Sequence, residues 1–261
     1  MNDWWTELNV RETRIIPVLL LDDDGFYKTV KFKNEEYLGD PLNILKIFNE
    51  KEVDELMLIS YRASAKKKKI NFNYIKELVS VCRFPVTYGG GVDSLGNIER
   101  LFRIGIEKVL INSAVHSNET LLHEAVQKFG SSSIVGCIEI GSNWRGKRFP
   151  SYNSALRGFK WNLDAHVELL NSSGVGETLI IDVKREGTMT GLNDNLLVSL
   201  ANKLESNVIV NGGVGVLDDV VKFQSISGVK AFGVGSLVVY HGSNKGILIN
   251  TPSKTDLNRL Q

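Results

Sequence analysis

Two stretches of the chain pair glycines with small polar residues in a way suited to holding an anion. Gly90 and Gly91 in "YGGGVDSLG" are followed by Asn112 and Ser113 in "KVLINSA", and Gly212 and Gly213 in "VNGGVG" are followed by Gly235 and Ser236 in "GVGS". Glycine lets backbone N–H groups approach a phosphate, a helix start adds its positive dipole end, and Ser or Asn supplies further donors. "DVKREGTMTG" sets Glu186, Gly187 and Thr188 beside the second cradle, although the same residues also spell a plain tight turn. Two related cradles suggest a ligand with anionic groups at both ends. The acids Asp22, Asp23 and Asp24 in "RIIPVLLLDDDGF" are the other chemically conspicuous group. Acids before a glycine, past the end of a strand, read as an exposed turn. That leaves Leu20, which has no proton to exchange, at the position nearest the site.

The elements that must position these residues are short apolar runs separated by amphipathic stretches: "IIPVLL", "LMLIS", "FPVTY", "KVLIN", "SIVGCIEI", "TLIIDV", "NVIVN" and "AFGVG". Helix-like segments such as "NYIKELVSVC" between them predict βα units and a parallel sheet, whose strands need no alternation because both faces are covered. Eight such units at this length favour a closed (β/α)8 TIM barrel, in which function sits at the C-terminal ends of the strands. Gly91 and Gly213 lie 122 positions apart, as do Glu55 and Glu177, so the barrel is read as two similar halves. Residues 1–13 are expected to be an N-terminal extension and 14–261 a single barrel domain. The tail "GSNKGILINTP" does not read as a regular eighth helix. After the fifth run, residues 141–161 form a long aromatic and basic loop, in which Arg145, Lys147 or Arg148 could cap an anionic substrate or merely decorate a solvated hairpin. "AKKKKI" reads as an exposed charged face.

Composition removes several classes of function. A chain of 261 residues with 43% hydrophobic content can bury a full core, and a net charge of +1 offers no electrostatic case for nucleic acid or membrane. Cys82 and Cys137 have no paired spacing and the four histidines, His116, His123, His166 and His241, form no ligand motif, so neither a disulfide, a metal site nor a cofactor is expected. Without a signal-like start or a long apolar run, a cytoplasmic protein is expected.

The order of motifs, "RIIP", "DEL", "GGGV", "KVLINSA", "FGS", "EGTMTG", "NGGVG" and "GVGS", resembles the cyclase subunit family of imidazole glycerol phosphate synthase from about Arg14 to Tyr240. The resemblance implies a two-fold-repeated barrel that receives ammonia from a glutaminase and uses it on a substrate with two phosphates. It assigns Gly91, Asn112 and Ser113 to one phosphate site and Gly187, Gly213, Gly235 and Ser236 to the other, with Glu186 where the family commonly has aspartate. It also implies that Arg14, Glu55, Lys108 and Glu177, at the starts of strands one, two, four and six, form a charged gate through which ammonia enters; ordinary rim salt bridges are the alternative. The family's two acid–base aspartates fall on Leu20 and Glu139. Glu139 is therefore the one inherited catalytic candidate, and the loss of a positioned acid or base, typically about 10²–10⁴ in rate, should depress cyclisation.

A kept entrance with an altered upper site looks like the paralogous group associated with bacterial surface polysaccharides, lipopolysaccharide O-antigen among them. There a barrel and a glutaminase supply ammonia for an acetamidino group on a sugar, with a further amidotransferase protein involved. The expectation is accordingly an ammonia-accepting subunit of a glutamine amidotransferase complex. The alternatives are the histidine-pathway cyclase, which would form imidazole glycerol phosphate, and a non-catalytic barrel that activates or tethers the glutaminase.

Overall fold

The computed structural model describes residues 13–22, 25–51, 53–63, 66, 68–142, 148–150, 162–242 and 244–260. Eight parallel strands form the barrel: β1 (Arg14–Asp22), β2 (Leu56–Ile59), β3 (Val86–Gly89), β4 (Lys108–Ile111), β5 (Ile134–Ser142), β6 (Glu177–Asp182), β7 (Asn207–Asn211) and β8 (Ala231–Val234). The lower half of β1 pairs with β8, from Arg14 with Ala231 to Pro17 with Val234. Its upper half pairs with β2, from Val18 with Met57 to Leu20 with Ile59. One strand thus serves both neighbours at different heights, which is the stagger that closes a barrel. The expected (β/α)8 architecture is borne out.

The β-branched and leucine-rich runs are buried on both faces, as parallel strands require. Ile16, Met57, Val135, Leu179 and Ile209 fill the barrel interior, while a larger cluster joins the outer strand faces to the helices. Those helices are α1 (Pro41–Glu50), α2 (Phe72–Ser80), α3 (Leu95–Arg103), α4 (Leu121–Phe129), α5 (Leu163–Ser173), α6 (Asp194–Ala201), α7 (Leu217–Ser227) and α8 (Ser236–Val239). Side-chain caps fix several starts: Asp40, Asn71, Ser94 and Asn162 accept from the backbone N–H of Asn43, Tyr74, Asn97 and Ala165. No helix among the described residues is long and apolar enough to cross a membrane.

Two departures from a regular barrel matter for the site. Between β1 and α1 the chain makes a hairpin of strands Gly25–Val30 and Lys33–Gly39, the first antiparallel to the top of β1. Its tip places Lys31 and Phe32 at φ +57° and +55°, a conformation usually left to glycine or asparagine. The eighth helix has only four residues. After it the chain makes a small hairpin, Tyr240–His241 with Gly246–Ile247, and a short helix, Lys254–Leu257. Leu257 and Leu260 are buried, and the Leu260 carbonyl accepts from Thr13 Oγ1 at 3.1 Å.

Candidate functional site

At the lower mouth, Arg14, Glu55, Lys108 and Glu177 meet in a closed ring. Arg14 donates from Nη1 to Glu55 and from Nη2 to Glu177, both at 2.6 Å. Lys108 Nζ completes the circuit with contacts of 3.3 Å to Glu55 and 2.7 Å to Glu177. Charges alternate around it, so every carboxylate faces two cations. Burial alone would pull the Arg14 pKa down, but Glu55 and Glu177 outweigh it and hold the guanidinium above its ordinary range. Burial would push Glu177 up; Lys108 and Arg14 outweigh it and hold that carboxyl below its ordinary range. Above the ring the interior is hydrocarbon, including Ile16, Met57, Leu110 and Ala231.

At the upper mouth lies a narrow throat of about 70 Å³, small against the roughly 300–1,000 Å³ of ordinary small-molecule sites. Leu20, Tyr61 and Glu139 line it together with the second cradle, Gly187, Gly212, Gly213, Gly235 and Ser236. Glu139 is 8% exposed and accepts a 2.8 Å hydrogen bond from Asn112 Nδ2. Asn112 Oδ1 and Ser236 Oγ are buried without a partner among the described residues, so each still offers polar capacity. Thr188 is engaged within its own turn, where its hydroxyl donates to the Arg185 carbonyl at 2.8 Å.

Two further occupants of the throat, Lys28 and Phe32, come from the hairpin. Lys28 is 5% exposed, and its ammonium donates to Glu186 at 2.5 Å and to the Thr29 carbonyl at 2.7 Å. Glu186 also accepts from the Phe32 N–H at 2.9 Å, and its own carbonyl accepts from Lys31 N–H at 2.9 Å. Glu186, expected beside a phosphate, instead anchors the hairpin tip. Gly187 belongs to the same fastening: a Cβ there would stand 2.1 Å from the Thr29 carbonyl oxygen. Sequence reasoning missed Lys28. No simple alternation pointed to it: in "GFYKTV" only Tyr27 and Val30 are partly exposed, and Phe26 packs in the outer core while Lys28 lines the throat.

The first cradle is open where the second is filled. Gly91 and Ser113 lie in a basin of about 980 Å³ between the loop after β2 and the starts of α2 and α3. Gly90 is held against that loop so closely that a Cβ would stand 2.3 Å from the Ser60 carbonyl oxygen. Beside the basin the exposed-turn reading of the acidic run fails for Asp22, which is 6% exposed. It accepts from Arg62 at 2.7 Å, Lys68 at 2.8 Å and Lys66 at 3.2 Å. The run "AKKKKI" is correspondingly not just a solvated face, because Lys66 and Lys68 turn back to this buried carboxylate. Burial would raise Asp22, but these cations outweigh it and bring its pKa to about 2. The reason for both corrections is register: the last residue of β1 pairs with Gly25 and stays within the sheet. Asp23, Asp24, Arg145 and Lys147 lie outside the described residues. Arg148–Pro150 pairs antiparallel with the end of β5, so the basic loop does begin as a hairpin.

His116, at the basin wall, stacks edge-on to His166 with ring centroids 5.7 Å apart. Burial brings both pKa values to about 4. Cys82 and Cys137 are free thiols, and no group of three metal-binding side chains occurs among the described residues.

A family described as "Histidine biosynthesis protein" matches residues 14–244. The "Putative imidazole glycerol phosphate synthase subunit hisF2" of Pseudomonas aeruginosa is 38% identical, covering 95% of this chain and 97% of that protein. The similarly named hisF3 of Vibrio vulnificus is 34% identical across 94% of both chains. The "Imidazole glycerol phosphate synthase subunit HisF" of Lactococcus lactis is 29% identical, covering 80% of this chain and 81% of that one.

Proposed function

The chain belongs to the histidine biosynthesis protein family, and from that membership we propose that it is a cyclase-like subunit of a glutamine amidotransferase complex that takes ammonia from a glutaminase docked at its lower mouth. The observation that carries this reading is the alternating ring of Arg14, Glu55, Lys108 and Glu177 below an interior of hydrocarbon side chains. Neutral ammonia is nearly the size of water and crosses such a layer at little cost. An ammonium ion would have to shed its hydration there and is held back. The ring's polar atoms offer hydrogen bonds to the nitrogen at the entrance. Glu139, with Ser236 Oγ nearby in the same throat, offers acceptors at the exit.

The nitrogen then serves amidination of a bacterial surface-polysaccharide sugar. This finer reading is favoured over imidazole glycerol phosphate formation by Leu20, which leaves Glu139 as the one carboxylate of the expected acid–base pair. The size of the throat favours it too, since about 70 Å³ accommodates ammonia or a few waters but not a phosphorylated ribotide while the hairpin is seated. A reaction with the sugar on a further protein would suit a barrel whose own upper end is so confined.

The test is co-expression with a candidate glutaminase. We expect the two chains to co-purify, glutamine hydrolysis to rise on association, and Lys108→Met to abolish the rise. A strain lacking the histidine-pathway cyclase should not be rescued by this chain; rescue would decide for the cyclase. Neither association nor stimulation with any glutaminase encoded beside it would overturn ammonia transfer altogether.

A further inference from the structure

The two anion cradles expected at opposite sides of the barrel have different fates. The second is occupied by the chain's own ion pair, Lys28 with Glu186, in a throat of about 70 Å³. The first opens into a basin of about 980 Å³. A ligand with one phosphate at each side of the barrel would have to displace the hairpin tip and break a buried salt bridge. A ligand with both anionic groups on the first side displaces none of the described residues.

We propose that this basin is a binding site for an organic diphosphate, with both phosphates held on the β2–β4 side of the upper mouth. The inner phosphate takes the place that the resemblance already gives Gly91 and Ser113, beside Lys68; the new element is an outer phosphate at Lys69 and Arg100. Gly91, at φ +70°, brings bare backbone to the basin floor. The starts of α2 and α3, each nine residues long, both face the basin and add positive dipole ends. The Arg100 guanidinium lies over the Phe72 ring at 4.0 Å, a contact that orients the group while leaving its edge N–H donors available. Among the described lining residues Asp93 is the single acid, and it accepts from Asn97 Nδ2 at 2.7 Å. Asp22 takes up part of the charge of Lys68 from behind, alongside Arg62 and Lys66, yet cations still outnumber acids around the basin. The volume far exceeds one phosphate, and Ile70, Val92 and Ala114 give the organic portion an apolar wall.

Calorimetric titration of the full chain, without any glutaminase, tests this with inorganic phosphate, inorganic pyrophosphate, UMP and UDP at one ionic strength. A second charge-assisted set of contacts predicts pyrophosphate binding at least about tenfold tighter than phosphate, and UDP similarly tighter than UMP. The double variant Lys69→Ala/Arg100→Ala should remove that tenfold preference, read as the ratio of the two affinities within each protein. Lys69→Gln, at an exposed position, should lower the same ratio if the double variant fails to fold. Equal affinity for phosphate and pyrophosphate, or a preference untouched by these variants, overturns the site. Because no partner is present, failure here leaves ammonia transfer standing, and failure of glutaminase stimulation leaves the diphosphate site standing.

Discussion

Replacing Lys28 by methionine isolates the contact that seats the hairpin in the upper mouth. The pair is buried on both sides, with Lys28 at 5% and Glu186 at 6% exposure, so removing the ammonium strands a carboxylate where water does not reach it. Breaking a buried pair from one side costs about 3–5 kcal/mol. The Phe32 N–H, 2.9 Å from the other carboxylate oxygen, still stabilises the charge, which lowers the expectation to about 2–4 kcal/mol. At roughly 2 °C per kcal/mol for a chain of this size, the melting temperature should fall by about 4–8 °C. Glu186→Gln alone buries an unpaired ammonium and should cost a similar amount. The double variant removes both charges while glutamine keeps an acceptor for Phe32, and should recover most of the loss, with a coupling of about 1–3 kcal/mol. Thermal and urea unfolding of the four proteins measure this cycle. If Lys28→Met shifts the midpoint by less than about 1 °C, or if the two single losses simply add, the salt bridge does not hold the hairpin and the contrast between the two cradles loses its basis.

Other outcomes follow from the same geometry. Arg14→Met leaves Glu55 and Glu177 sharing Lys108; at 30% side-chain exposure of Arg14 the cost should be about 1–3 kcal/mol by urea unfolding, with loss of glutaminase stimulation. Gly90→Ala drives a Cβ to 2.3 Å from the Ser60 carbonyl at φ +111°, and should destabilise the chain by more than about 2 kcal/mol; an unchanged unfolding midpoint would contradict the packing. His116 and His166 titrate near 4 in the fold against an ordinary value of 6.5, so the unfolded chain binds more protons between these values and stability should decline as pH falls from about 6.5 to 4. Asp22 works in the adjacent window: its contribution is complete above its ordinary value of 3.8 and is lost as pH falls toward about 2. Asp22→Asn should flatten the lower limb of that profile and leave the upper limb in place.

The barrel was legible because parallel strands buried on two faces leave uninterrupted apolar runs, and because a duplicated half sets Gly91 against Gly213 and Glu55 against Glu177 at one period. The same pattern put the four ring residues at the starts of recognisable strands, and the family resemblance singled them out as a ring. The hairpin between β1 and α1 was not legible. Its side chains face in or out according to antiparallel register, and a slip of one residue would exchange Lys28 for Tyr27. The part Glu186 plays in holding the hairpin was not legible either, since its partner approaches from a position 158 residues away in the chain. The burial of Asp22 depends likewise on cations from the loop after β2, which local turn chemistry does not reveal.

The seam between β8 and β1 joins residues more than two hundred positions apart, Arg14 with Ala231 among them. Beyond it, the tail carries Leu257 and Leu260 into buried positions and ties the Leu260 carbonyl to Thr13 and Gln224. Such distant pairings incur their chain-closure entropy before they are rewarded, so the cylinder should zip from its middle strands outward and knit this edge last. Emerging from the ribosome, the polypeptide would spend its nascent lifetime as an open curl, with the Arg14–Pro17 edge of β1 waiting for β8 before the tube can close.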